Sequence, residues 1–290
     1  MLPVIYWDPN PVIFTFPYLH FPILWYGVFF ALGFWFSFLI VVRILTRYFQ
    51  HLYPKKSPSE LQEKARLLVD RLTVYIVIGT ILGARIGHFI FYEQPSQYLA
   101  DPLEFFRFRN GGLASHGAAI GIIAATFLFS IRIRKKYPDL TWVRILDFIA
   151  VPTPLAGACI RIGNFFNQEI LGTTTNLPWA VVFGHPADGS PPGPRHPAQL
   201  YEALWYLALF FILWQLSKRP SFLRKQGKLI GLFLILAFSF RFFVEFLKTE
   251  QSHLLSSSYL TMGQILSLPM IVLGFLFYFV CGSRTSVRKV

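Results

Sequence analysis

Seven stretches of the chain are apolar over roughly the length that crosses a bilayer: 21–42, 72–92, 112–131, 145–160, 198–216, 229–247 and 260–281. A helix rises 1.5 Å per residue, so about 20 apolar residues span a hydrocarbon core of about 30 Å. Each stretch predicts a membrane helix. The fourth is short and carries Pro152 and Pro154. Broken helices tend to line cavities, because backbone groups freed by proline need partners there. Residues 1–20, rich in proline and aromatics, predict an arm lying at the membrane interface. The longer loops are 93–111 and 173–197. In the second, Pro178 to Gly184 reads as a short strand, and Gly189-Ser190-Pro191-Pro192-Gly193-Pro194 as a turn. With no internal repeat, the expected architecture is an all-α polytopic membrane protein. It forms a single membrane-embedded domain over 1–290, with a small extracytoplasmic loop region.

The lysines and arginines orient these seven transmembrane helices. The gap 43–71 holds Arg43, Arg47, Lys55, Lys56, Lys64, Arg66 and Arg71; the gaps 132–144 and 217–228 and the tail are also basic. In a seven-span chain all four lie on one side, and together they carry most of the 27 basic residues. Basic segments stay cytoplasmic, which predicts an N-terminus outside and a C-terminus inside.

Composition sharpens the class. The chain is 54% hydrophobic and 18% aromatic, with 14% charged residues and a mean hydropathy of +0.49. Soluble domains carry about 25% charged residues. The net charge of +13 does not point to nucleic acid, because the basic residues sit in short gaps between apolar spans. Cys159 and Cys281 show neither metal spacing nor a disulfide framework. The first residues show no basic run leading to a cleavage site, so no signal peptide is expected.

One segment breaks the apolar pattern: Arg161-Ile162-Gly163-Asn164-Phe165-Phe166-Asn167-Gln168-Glu169-Ile170-Leu171-Gly172. Charges inside a bilayer are costly unless they face a cavity or a partner. If the segment is helical, Arg161, Asn164, Gln168 and Gly172 share a sector of about 80°. If it is a loop outside the membrane, the same groups are simply solvated. The predicted topology puts most other intramembrane polar residues at one depth. Tyr26, Arg85, His88, His116, Glu202 and Gln264 all fall in the outer half. Arg241 lies about 18 Å into the sixth span and Glu245 one turn further out. An ion pathway needs polar groups through the whole depth. This pattern instead predicts a polar cavity open to the outer leaflet.

Each group also has a structural reading. Arg241 and Glu245 can form an i,i+4 ion pair. Arg85 and His88 can snorkel to the interface. His116, among small residues in Gly111-Gly112-Leu113-Ala114-Ser115-His116-Gly117-Ala118, can be a packed, hydrogen-bonded core histidine. Tyr26 can belong to an aromatic belt. As a set, arginines in an outer-leaflet cavity fit an anionic headgroup, since guanidinium matches phosphate bidentately. A histidine can take a proton from a thiol or hydroxyl. No nucleotide-binding glycine loop, nucleophile elbow or metal-ligand cluster competes. These residues point to a transferase or hydrolase that handles phospholipid. A lipid transporter would carry charge through the inner half as well, and a scaffold would use Arg161 and His116 for stability alone.

The segment resembles the signature of the bacterial prolipoprotein diacylglyceryl transferases. Arg161, Gly163, Asn164, Phe165, Asn167, Glu169 and Gly172 match at the family's spacing. Further matches are Trp25-Tyr26-Gly27, Gly83-Ala84-Arg85, His116-Gly117, His196-Pro197-Ala198-Gln199-Leu200-Tyr201-Glu202-Ala203, Arg241-Phe242 with Glu245-Phe246, and Gly263-Gln264-Ile265-Leu266-Ser267. Ile160 and Ala118 stand where the family usually has glycine. The resemblance implies seven spans with the N-terminus out, in the bacterial cytoplasmic (inner) membrane, with an active site facing the outer leaflet. It implies transfer of a diacylglyceryl group from phosphatidylglycerol to the lipobox cysteine of a prolipoprotein signal peptide. A thioether forms, glycerol phosphate leaves, and no cofactor or metal is needed. By the same resemblance, Arg161 and Arg241 hold the lipid phosphate. Asn164, Glu169, Gly172 and Tyr26 shape the headgroup pocket, and Glu245 orients Arg241. Arg85, Glu202 and Gln264 are secondary candidates. His116 is the candidate base for a thiol whose ordinary pKa of about 8.5 lies about two units above that of histidine.

Overall fold

A computed structural model describes residues 5–18, 21–92, 105, 112, 114–249 and 260–281. The loop expected at 93–111, apart from Phe105, the start of the interfacial arm and the basic tail lie outside these residues. The elements in order are β1 (Ile5–Trp7), β2 (Val12–Phe16), β3 (Phe21–Leu24), α1 (Trp25–Leu52), α2 (Pro58–Tyr92), α3 (Ser115–Ile133), α4 (Trp142–Ala150), α5 (Thr153–Phe166), β4 (Val181–Phe183), β5 (Pro194–Arg195), α6 (Ala198–Ser217), α7 (Pro220–Arg224), α8 (Lys228–Val244) and α9 (Met262–Phe279). A 3₁₀ turn, Glu245–Leu247, extends α8.

Six helical segments are long and apolar enough to cross a membrane, and the bent pair α4–α5 makes up to seven. The chain is a multi-pass membrane protein. The bend of 46° falls at Val151 and Pro152. Proline has no N–H to donate and its ring crowds the preceding turn, so a helix breaks there. The Thr153 hydroxyl donates to the freed Ile149 carbonyl at 2.6 Å. The other expected spans all appear, but the basic gap 43–71 is mostly helix. α1 runs on to Leu52 and α2 starts at Pro58, leaving a short turn between. Lys56 and Glu60 pair at 2.6 Å across the start of α2. The expected arm carries the β1 strand and the β2–β3 hairpin, whose second strand takes the start of the first expected span. The short strand read near Pro178 is β4, paired in parallel with β1 from Ile5↔Val181 to Trp7↔Phe183.

The chain divides into two compact units, residues 45–146 and the remainder. In the first, α2 and α3 pack through small residues. A Cβ on Gly79 would approach the Gly121 carbonyl oxygen to 2.6 Å, so only glycine permits the contact. Helices in lipid gain no hydrophobic drive from pairing and rely on such close backbone approach. Lys64 lies over the rings of Phe49, Tyr53 and Tyr137, and Arg144 over Tyr48, so basic residues of this unit are partly engaged by aromatic faces.

In the other unit, Asp147 is fully buried. Its carboxylate accepts the N–H groups of Gly227 (2.7 Å), Leu229 (3.0 Å) and Ile230 (3.0 Å) at the start of α8. First-turn N–H groups have no partner within the helix, and a buried carboxylate satisfies three of them here. The sequence pattern gave no sign of this anchor, because Asp147 reads as one acid within an apolar stretch. A small core of Phe165, Leu171, Val181 and Phe183, flanked by Trp7 and Leu200, packs the loop and β1 against the end of α5.

Candidate active site

The expected helical face holds for half of its length. α5 ends at Phe166, and Gln168 and Ile170 have left-handed backbones (φ 53° and 56°). Arg161 and Asn164 therefore share a face, while Gln168 and Gly172 do not. Arg161 Nη1 donates to Asn164 Oδ1 at 3.1 Å. Asn164 Nδ2 donates to Glu169 at 3.1 Å, and Asn167 Nδ2 to the other oxygen of Glu169 at 2.6 Å. The turn folds Glu169 back over its own helix end. Gln199 Nε2 donates to the Glu169 carbonyl at 2.6 Å and ties α6 to the turn.

Glu202, fully buried on α6, gathers the cations. Arg161 Nε lies 3.0 Å from its carboxylate and Lys248 Nζ 3.2 Å. Lys248 also lies 3.5 Å from Glu245. Burial pushes the Lys248 ammonium below its usual range, against the pull of Glu202. Lys248 was not singled out from sequence. The signal existed, since Arg241, Glu245 and Lys248 at i, i+4 and i+7 share one helix face.

Arg241 is half-buried, and among the described residues its guanidinium has no hydrogen bond or ion pair. Its charge acts on Tyr206 and Lys248, as does that of Arg161. Glu245 takes a different neighbour from the expected one. Its carboxylate lies beside Lys248 and packs against Gly263, and no ion pair with Arg241 forms among the described residues. Tyr26, in the first turn of α1, lies against Gly163, where a Cβ would come within 2.8 Å of its ring. Its phenol feels both Glu169 and Arg161, so it sits beside the cluster.

Gly172 contributes a close approach. A Cβ there would collide with the His196 carbonyl oxygen, and the Gly172 carbonyl accepts from Thr249 Oγ1 at 3.2 Å. Gln264 is committed elsewhere. Its Oε1 accepts the Thr261 N–H at 3.0 Å in a capping box, and its Nε2 donates to the Phe242 carbonyl at 3.3 Å. It fixes the start of α9 against α8.

The remaining candidates belong to the unit of residues 45–146. Arg85 is buried, donating to the carbonyls of Phe105 (2.9 Å) and Gly112 (3.1 Å), with Phe89 beneath its guanidinium. It does not snorkel. His116, in the first turn of α3, is exposed and meets the rings of Phe91 and Tyr92. Among the described residues it makes no hydrogen bond, so it is not a packed core histidine.

Chemically, the cluster built on α5, α6 and α8 presents three cations. Two are paired with carboxylates, and the third, Arg241, has no carboxylate partner among the described residues. A family model described as prolipoprotein diacylglyceryl transferase matches residues 11–280. The chain is 41% identical to a phosphatidylglycerol--prolipoprotein diacylglyceryl transferase of Porphyromonas gingivalis, over 92% of this chain and 91% of that protein. It is 36% identical to one from Protochlamydia amoebophila (93% of each chain) and 37% identical to one from Chloroherpeton thalassium (98% of this chain, 97% of that protein).

Proposed function

The chain belongs to the prolipoprotein diacylglyceryl transferase family, and from that premise we propose how its own residues carry the transfer from phosphatidylglycerol to a prolipoprotein. The observation that carries the reading is Arg241, without a hydrogen bond or ion pair among the described residues, beside the paired Arg161–Glu202–Lys248 cluster. The lipid phosphate docks on Arg241 and Arg161, where guanidinium forks match its oxygens. The thiolate of the lipobox cysteine attacks the glycerol C3 of the diacylglyceryl group. A C–S bond forms, the C–O bond to phosphate breaks, and glycerol phosphate leaves as a product with one more negative charge. Arg241 meets that charge as it grows, which is the interaction that accelerates such a step. Asn164, Glu169 and Tyr26 shape the headgroup site, while Gly172 allows the chain to close behind it.

His116 is proposed to take the thiol proton. Its exposed imidazole has no hydrogen bond among the described residues, which leaves a ring nitrogen available. The basic-residue pattern supports an N-terminus outside and a C-terminus inside, with the site facing the outer leaflet of the bacterial inner membrane. The seventh crossing is the bent α4–α5 pair.

Purified protein is incubated with phosphatidylglycerol vesicles and a synthetic lipobox peptide, and the peptide mass is read. Wild type adds a diacylglyceryl group, and folded Arg241→Ala does not. His116→Ala lowers the rate, with the loss shrinking as pH approaches the thiol pKa. Unmodified peptide with folded wild type, across several lipids, overturns the transferase reading. An unchanged rate in His116→Ala removes only the proton role.

A further inference from the structure

We propose that Asp8 is a positioning residue for the headgroup site: its bond to Gln168 fixes the turn that presents Glu169 to Asn164 and Arg161. This deepens the transferase reading above and rests on it.

The turn needs an external hold. A left-handed backbone crowds the Cβ of an L-residue against the chain, and residues on both sides of Glu169 adopt it. Gln168 is buried, and partners surround it. Its Nε2 donates to Asp8 Oδ1 at 3.0 Å, and its Oε1 accepts the His185 N–H at 2.7 Å. Its carbonyl accepts the Ala187 N–H at 3.0 Å, and its own N–H donates to Phe165 at 3.2 Å. Glu169 follows directly, so the Gln168 backbone decides where that carboxylate points. Asn164 and Asn167 then clamp it, and Asn164 holds Arg161.

Asp8 is delivered to this point by the strand arm. β1 pairs with β4, and the Trp7 indole N–H donates to the Phe165 carbonyl at 3.0 Å. The Gly184 N–H donates to the Trp7 carbonyl at 3.0 Å, and a Cβ on Gly184 would collide with the Asp8 carboxyl group. His185 Nδ1 lies 2.6 Å from the same Asp8 oxygen. The side-chain hydrogen bonds from His185 and Gln168 hold the Asp8 carboxyl below its usual pKa. No contact joins Asp8 to Arg161, so its action passes through Gln168 and Glu169.

The test measures kcat and the KM for phosphatidylglycerol in the peptide assay, beside thermal unfolding. A misplaced headgroup site weakens lipid binding, so Asp8→Ala raises KM about tenfold and leaves kcat within about threefold. A purely structural role would lower the folded fraction and leave KM unchanged. Asp8→Asn keeps an oxygen that accepts the same amide proton, and its KM stays within about twofold of wild type. If Asp8→Ala fails to fold, Gln168→Met, which removes the amide at nearly constant length, is read for the same rise. An unchanged KM in Asp8→Ala overturns the proposal. So does a KM in Asp8→Asn as high as in Asp8→Ala, since charge and not the Gln168 bond would then matter. An inactive wild type sinks the transferase reading itself, which separates the two failures.

Discussion

Two arginine-bearing regions sit in otherwise apolar helices, and they use the same side chain differently. Arg85 spends its guanidinium on backbone carbonyls at Phe105 and Gly112 and on the face of Phe89. Arg161 spends its own on side chains, Asn164 and Glu202, which are themselves held by Glu169 and Lys248. Arg241 beside it has no hydrogen bond or ion pair among the described residues. The bonds to backbone carbonyls tie Phe105 and Gly112 to α2. A relay of carboxylates and amides balances charge locally and leaves one cation for an anion. The partner, more than the arginine, separates a structural position from a candidate site.

Substitutions that exchange these behaviours test the contrast. Arg241→Ala should have the largest effect on activity, a loss of about 10³-fold in kcat/KM, because a cation aimed at developing charge is removed. Its melting temperature should stay near wild type, since no hydrogen bond or ion pair among the described residues is lost; a large drop would place Arg241 with Arg85. Glu202→Ala should cost about 3–5 kcal/mol, because Arg161 and Lys248 lose a buried counter-charge. Denaturant titration in detergent checks this, with lipid transfer falling in parallel. Arg85→Met should lower the melting temperature while the rate per folded molecule stays within about threefold, measured in the peptide assay. A selective loss of rate would move Arg85 into the site.

The smallest effect concerns pH. Asp8 is held below its usual pKa, so its stabilising contribution is present above the unfolded value of about 3.9 and is lost as pH falls through the folded value. Melting temperatures between pH 6 and pH 3 should fall more for wild type than for Asp8→Asn, which cannot titrate. Parallel curves would show that the Asp8 bonds carry no stability.

Much of this was legible from residue patterns. The spans, the break at Pro152, the strand near Val181 and the polar segment from Arg161 follow from local chemistry: apolar runs, proline and charge. Sequence also brought together Arg161, Asn164 and Glu169, since a signature segment is contiguous. It did not show which partner each side chain takes. Gln264 read as a ligand group; its capping bond to Thr261 is local, but its bond to Phe242 depends on how α9 meets α8. Glu245 read as the partner of Arg241 by i,i+4 spacing, while Lys248 takes its carboxylate. Asp147 and Asp8 gave no signal, as each is a lone acid whose partners lie about 80 or more residues away.

Repeated membrane crossing, and the segment that carries the polar chemistry, can be read from the residues alone. Hydrophobic length and the cost of buried charge are properties of short segments. Which cations pair with carboxylates, and which has no such partner among the described residues, appears only once the helices are packed. That choice depends on distances of about 3 Å between side chains on different helices, which no spacing along one helix specifies.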